Sequence, residues 1–462
     1  MPPAKKPIGL LRRLISSGIK KNPLSKTRDA HDGLEAVLGN QTNSRQISVS
    51  ESPAGLNEEL RNELETFIFH GTQNPYVAYA AVTIANKYLN EPNRVREALF
   101  RLRNSANEED VVTIISDFLT IGSVSTGAGL KGITYYGSVK AQTRMGITPS
   151  VNIGVSVGAL AALCLTLEKV GIRIERFNTS FEQGGEFILG LVNSFDTRRY
   201  TNPATMQERL HNGKTLLKSL RRRAFEGAYT DSGAVSQYYA QVFGDLRLES
   251  VPGFMAVVSR YAKKLDIVNG SGEMVLYSAE THPDETVASV LRKTTAFPGY
   301  FAPVREKDGT FSCDGGLTNN LPIDIAVKKN VDFLVANIAA EYKDTPRQYF
   351  RLRLGDIEIA AHEVPLPPYH VLDEKVQLLT GENLKGVSTK GDPNGRLLLL
   401  RFDVNDMDIS SHTVDARVNS ALISSGYSQA RETLRTFLHP EFRHQYYNPY
   451  RFKDLIRITP LS

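Results

Sequence analysis

From about Leu119 onward, short apolar runs alternate with segments of helical period. "FLTIGSV", "ITYYGSVKAQTRMGI", "SVNIGVS" and "GALAALCLTLEKVGI" come first, and the pattern resumes in "GFMAVVSRYA", "EMVLYSAE", "VDFLVANIAA" and "RLLLLRFDV". Apolar runs of strand length separated by helices are the mark of βαβ units, in which helices cover a sheet that is buried on both faces. That alternation predicts an α/β architecture with a central, mostly parallel sheet. Upstream, "EELRNELETFIF", "VAYAAVTIANKYL" and "NRVREALFRLRN" read as helices broken at "GTQNP" and "NEPN". Downstream, "DARVNSALISSGYSQARETLRTFL" reads as the last long helix.

Four regions follow from this reading: a basic tail over 1–56, a helical segment over 57–117, an α/β domain over 118–440, and an aromatic and basic tail over 441–462. The first tail is rich in Pro, Ser and Asn, so it has little apolar surface to offset the entropy of ordering, and disorder is expected. Within it, Ile8, Leu11, Ile15 and Ile19 share one face of "PIGLLRRLISSGIKK", with Arg and Lys largely on another. Such a helix suits an anionic membrane surface, although a solvated tail or targeting segment explains it equally. Lys5, Lys6, Arg12, Arg13, Lys20, Lys21, Lys26 and Arg28 all precede the first acid, Asp29.

Composition excludes several classes. The chain of 462 residues is 41% hydrophobic and 23% charged, which is ordinary for a globular protein. Two cysteines, Cys164 and Cys313, make neither a disulfide scaffold nor a zinc site by themselves. No run of about 18 apolar residues is present to span a bilayer. Net charge is only +5, and the basic clusters, Arg221–Arg223 included, accompany no nucleic-acid recognition motif. No cleavable secretory signal is visible, which fits a cytoplasmic protein, peripheral at membranes, or an effector exported by dedicated machinery.

Three segments carry candidate chemistry. In "VNIGVSVGALAAL" an apolar strand runs into Gly-x-Ser-x-Gly and then a helix, which places Ser156 on a sharp turn with its hydroxyl presented at the sheet's edge. Gly154 and Gly158 permit that turn. In "STGAGLKGITYYG" a glycine-rich loop leaves one strand and enters a helix, exposing backbone N–H groups that suit an oxyanion. Gly127, Gly129 and Gly132 imitate a dinucleotide fingerprint, but no acid occurs between Lys131 and Glu168 to hold a ribose. In "FSCDGGLTNNLP", Asp314 precedes Gly315 and Gly316, either as a plain hairpin turn or as a buried carboxylate whose pKa is raised toward that of a general base. A Ser-His-Asp triad would require a histidine after the acid. His362, His370, His412, His439 and His444 are available, with His412 the best placed, and His282 has no stronger claim.

Taken in order, these segments resemble the patatin-like phospholipase family, specifically its bacterial-type acyl hydrolases. "GAGLKGITYYGSVKAQTRMGI" is similar to that family's glycine-rich loop and following helix, and "IGVSVGALAAL" to its nucleophile elbow. "LRKTTAFPGYFAPV" is similar to the segment before its Asp-Gly-Gly motif, and "CDGGLTNNLP" to that motif with its trailing Asn-x-Pro. The resemblance covers about residues 118–440. It implies a three-layer α/β/α patatin-like fold with a central, mostly parallel sheet, extended here by N-terminal helices. It also implies a Ser-Asp dyad of Ser156 and Asp314, an oxyanion hole from Gly127, Ala128 and Gly129, and no cofactor or metal. The implied partners are a membrane phospholipid, lysophospholipid or other acyl ester as substrate and, for some members, an activating protein. One departure stands out: the family's loop carries three successive glycines, and the middle one here is Ala128. If that position needs positive φ, alanine is strained and the hole displaced. Two alternatives stand beside the dyad: an α/β-hydrolase lipase using His412, and a catalytically silent patatin fold that binds a membrane or partner.

Overall fold

The computed structural model describes residues 58–172, 232–261, 272–297, 301–339, 350–354, 357–361, 395–402, 416–445 and 447–456. The expectations for the tail at 1–56, for Arg221–Arg223 and for His362, His370 and His412 lie outside the described residues.

Four helices open the fold: α1 (Glu58–Thr66), α2 (Pro75–Lys87), α3 (Pro92–Arg103) and α4 (Glu108–Phe118). Their starts are written in the sequence. Asn74 accepts the N–H groups of Tyr76 and Val77 ahead of Pro75, and Asn107 accepts that of Asp110, each satisfying donors that a helix start leaves free. The same Asn74 amide donates to the carbonyls of Phe437 and His439, both at 2.8 Å, which fastens α2 to the end of the long closing helix.

The main sheet joins β1 (Ile121–Ser125), β2 (Val151–Val155), β3 (Phe254–Tyr261), β4 (Glu273–Ser278), β5 (Val304–Arg305), β6 (Phe311–Asp314), β7 (Phe333–Ile338) and β10 (Leu397–Arg401). The order is β10-β7-β1-β2-β3-β6-β5, with β4 also paired to β3. Strands β10, β7, β1, β2 and β3 are parallel, and β4, β5 and β6 add antiparallel pairings. A separate hairpin is formed by β8 (Phe350–Leu354) and β9 (Ile357–Ala361).

Strand alternation sorts the side chains into two cores. Phe254, Ala256, Val258, Phe333, Val335, Leu398 and Leu400 face one cluster, while Met255, Val257, Leu334, Ala336, Leu397 and Leu399 face the other. The first cluster takes in α5 (Thr134–Arg144), α6 (Val157–Val170), α7 (Ser232–Phe243), α8 (Val287–Thr294) and α10 (Ala416–Leu438). Leu60, Val95 and Ile115 of the opening helices belong to that same cluster. The second is covered by α9 (Ile323–Lys328). Helices on both faces of a mostly parallel sheet give the expected three-layer α/β fold. The chain continues after α10 into α11 (Pro449–Leu455). Among the described residues no helix is long and apolar enough to cross a membrane.

Candidate active site

The site is set by the way two strands share one edge of β3. Strand β2 runs parallel to β3 and ends with Val155 opposite Val257. Strand β6 runs antiparallel to β3 and ends with Asp314 opposite Val258. Because β4 occupies the other edge of β3 from Met255 to Arg260, β2 and β6 must lie end to end. Their C-terminal ends therefore meet across neighbouring residues of β3. Ser156, the residue after β2, and Asp314, the last of β6, are brought together although the sequence holds them far apart.

Ser156 has φ 53° and ψ −126°, one of two non-glycine residues with positive φ among those described. Such a backbone costs on the order of 1–3 kcal/mol and persists only where neighbours enforce it. Thr294 does so here: its hydroxyl accepts the Ser156 N–H at 3.0 Å and donates to the Val257 carbonyl at 2.6 Å. The Asp314 carboxylate accepts the Gly316 N–H at 2.8 Å and lies close enough to the Ser156 hydroxyl for that group to draw its pKa down. Asp314 is 3% exposed. Burial pushes its carboxyl up to about 6, and Ser156 and the Gly316 N–H pull less strongly in the other direction. Ser259 holds the backbone of the acid, donating to the Asp314 carbonyl at 2.8 Å.

The glycine-rich loop follows β1, whose Ser125 pairs with Gly154 of β2. A Cβ on Gly127 would lie 3.1 Å from the Ser156 Cβ, so the loop abuts the elbow. The Gly127 N–H donates to Asn320 Oδ1 at 2.9 Å, and Asn320 Nδ2 donates to the Gly127 carbonyl at 3.2 Å. Gly129 opens a 3₁₀ turn, Gly129–Ile133. The first N–H groups of a helical turn have no partner within it. Among the described residues no acceptor takes the N–H of Ala128 or Gly129.

Ala128 itself has φ −147°, and the left-handed residue of the loop is Gly129 at φ 53°. The condition under which alanine would be strained is therefore not met; its methyl is buried in the larger core. The remaining motif glycines serve close approach. A Cβ on Gly158 would lie 2.3 Å from the Ser125 carbonyl oxygen, one on Gly154 2.3 Å from the Ala159 Cα, and one on Gly315 2.1 Å from the Val257 oxygen. On Gly132 it would meet Val157, and on Gly316 the side chains of Asn320 and Asp314. Lys131 is buried.

Residues 124–327 match the family model described as Patatin-like phospholipase. The chain carries a patatin-like phospholipase domain. A probable lipid hydrolase, 463L of Invertebrate iridescent virus 6, is 31% identical to this chain over 131 residues, a stretch covering 24% of the chain and 45% of that protein. Among solved structures, human GIVD cytosolic phospholipase A2 is similar at 10% identity and TM-score 0.37, over 83% of this chain and 65% of that one. VipD from Legionella pneumophila is similar at 15% identity and TM-score 0.31, over 68% and 66%.

Two residues beside the patatin-like motifs, Thr294 and Asn320, were not singled out by sequence reasoning. Both lie inside quoted segments, "LRKTTAF" and "TNNLP", but only tertiary contact shows what they hold. The histidines are placed elsewhere. His282 stacks on Tyr277 with ring centroids 4.2 Å apart, and its pKa is held below the ordinary value, chiefly by burial. His444 is buried near the closing helix, its N–H bonding the Gln73 carbonyl. Cys164 and Cys313 are free and buried, and burial assisted by the Asp314 charge pushes the Cys313 thiol up to about 12. Among the described residues no group of three or more metal-ligating side chains converges.

Proposed function

We propose that this protein is a serine acyl hydrolase of lipids, releasing fatty acid from phospholipid or lysophospholipid esters through Ser156 and Asp314. The observation that carries the reading is the meeting of Ser156, on its strained elbow after β2, with a buried carboxylate of raised pKa at the facing end of β6. A serine hydroxyl needs a base to become a nucleophile, and a group of pKa about 6 is ionised at neutral pH yet still basic enough to take a proton.

The cycle follows from that contact. Ser156 Oγ bonds to the ester carbonyl carbon as its proton passes to Asp314. The carbonyl oxygen becomes an oxyanion, stabilised by the N–H groups of Ala128 and Gly129 beside the elbow. Collapse of the tetrahedral species breaks the bond to the alcohol, which leaves with the proton from Asp314. A water then gives its proton to Asp314 and attacks the acyl-enzyme, and the fatty acid departs as Ser156 regains its hydrogen. No step calls on a histidine, metal or cofactor.

The family match supports a lipid ester as substrate, and the basic N-terminal segment supports action at an anionic membrane surface. Fatty-acid release from phosphatidylcholine and lysophosphatidylcholine vesicles tests the reading. Ser156→Ala and Asp314→Asn are each expected to lower release by at least about 1,000-fold, and His412→Ala to leave it unchanged. Full activity in either dyad variant sinks the proposal, and loss of activity in His412→Ala favours the triad.

A further inference from the structure

We infer that Asn320 is a positioning residue whose carboxamide locks the Gly127 peptide, so that the N–H groups of Ala128 and Gly129 supply the oxyanion donors. The inference rests on the hydrolase reading above and adds which donors act and what holds them. Gly127 is gripped from both sides, its N–H by Asn320 Oδ1 at 2.9 Å and its carbonyl by Asn320 Nδ2 at 3.2 Å. Two bonds from one planar group fix rotation as well as position. Only an amide side chain offers an acceptor and a donor at that spacing without carrying charge.

The grip has two consequences. The Gly127 N–H already has an acceptor, so it is not the donor nearest to the elbow that meets the oxyanion. The two N–H groups that follow are the ones without an acceptor among the described residues, and their direction is set by the locked peptide before them. The loop is also wedged, since a Cβ on Gly127 would lie 2.8 Å from Asn320 Oδ1 and 3.1 Å from the Ser156 Cβ.

Asn320 leaves the same turn as Asp314. A Cβ on Gly316 would lie 3.0 Å from Asn320 Oδ1 and 3.1 Å from Asp314 Oδ1, so both side chains crowd that glycine. One short segment, Asp314 to Asn320, thus carries the base and anchors the loop that carries the donors. A shift of this segment moves both together, so the base and the oxyanion donors keep their mutual geometry.

The test uses the full chain with a p-nitrophenyl acyl ester, and a fluorophosphonate to count reactive Ser156. In Asn320→Ala, kcat per titrated site is expected to fall about 10- to 100-fold with KM within about threefold. Oxyanion donors act mainly in the transition state, and displacing them costs less than the 100- to 1,000-fold of losing one outright. Asn320→Asp keeps an acceptor for Gly127, loses the donor, and sets a second carboxylate beside Asp314. It should lose part of kcat and move the acidic limb of kcat/KM to higher pH. Hydrogen exchange over the peptide containing residues 125–135 should quicken in Asn320→Ala, a readout independent of turnover. An unchanged kcat per titrated site, with only fewer reactive sites, means that Asn320 merely supports folding and overturns the inference. Unchanged exchange over that peptide overturns it too. Absence of Ser156-dependent turnover in the wild type overturns the hydrolase reading instead, while exchange still reports on the anchoring.

Discussion

Replacing Asp314 with asparagine should abolish turnover and at the same time make the protein more stable, by an amount that depends on pH. The carboxyl rises from an ordinary 3.8 to about 6 in the folded chain. Two units at roughly 1.4 kcal/mol each amount to about 3 kcal/mol. The sign follows from which state binds the proton more tightly. The folded state does, so stability falls as pH rises from about 4 to about 6, and the full cost of the buried charge is present above that window. Asparagine is neutral throughout; its oxygen can still accept the Gly316 N–H and its amide can face Ser156. The stability difference, variant minus wild type, should be near zero below about pH 4 and reach about 3 kcal/mol at pH 7.5. Urea unfolding at a series of pH values, with Ser156→Ala as a second inactive control, measures it. A difference that is flat across the series, or a less stable variant at pH 7.5, would refute the assignment of a burial-raised carboxylate.

Three further outcomes follow from the same geometry. Because the free base must be ionised, kcat/KM should fall tenfold per pH unit below about 6, as a pH–rate profile with a soluble ester will show. Thr294→Val leaves both the Ser156 N–H and the buried Val257 carbonyl without their partner. Destabilisation of about 1–3 kcal/mol in urea and a marked loss of kcat are expected, with Thr294→Ser restoring both. Ala128→Gly should not raise activity more than about twofold, because no left-handed strain exists at that position to relieve. Its stability should drop by about 0.5–1 kcal/mol through added chain entropy; a tenfold gain in kcat would contradict this.

Much of this architecture is legible in the sequence itself. Alternating apolar runs announced the parallel sheet, and "IGVSVGALAAL" announced a strand, a sharp turn and a helix, because period and glycine spacing are local properties. The pairing of Ser156 with Asp314 came from resemblance alone, since nothing local to "CDGG" says what its carboxylate faces. What places it there is the end-to-end arrangement of β2 and β6 on β3, a long-range property of register. Thr294 and Asn320 escaped notice for the same reason: a threonine in a helix and an asparagine in a turn have ordinary local explanations. Ala128 shows the converse. Read by position in a motif it raised the prospect of strain, whereas the backbone puts the left-handed conformation one residue later, at Gly129.

The junction on β3 also sets how little slippage the site can tolerate. Inserting residues between α6 and α7, or between β4 and β6, changes the length of the path from Ser156 to Asp314 without changing their separation, because consecutive residues of one strand gauge it. A slip of β6 by a single residue along β3 is different. It would carry the carboxylate about 3.4 Å along the strand and turn it to the opposite face of the sheet. Length variation between the strands is thus nearly silent, while a frame error in pairing is all or nothing. Evolution or design can lengthen the connections around this site, provided that Val257 and Val258 keep their two partners and that Thr294 and Asn320 keep their bonds to the elbow and the glycine-rich loop.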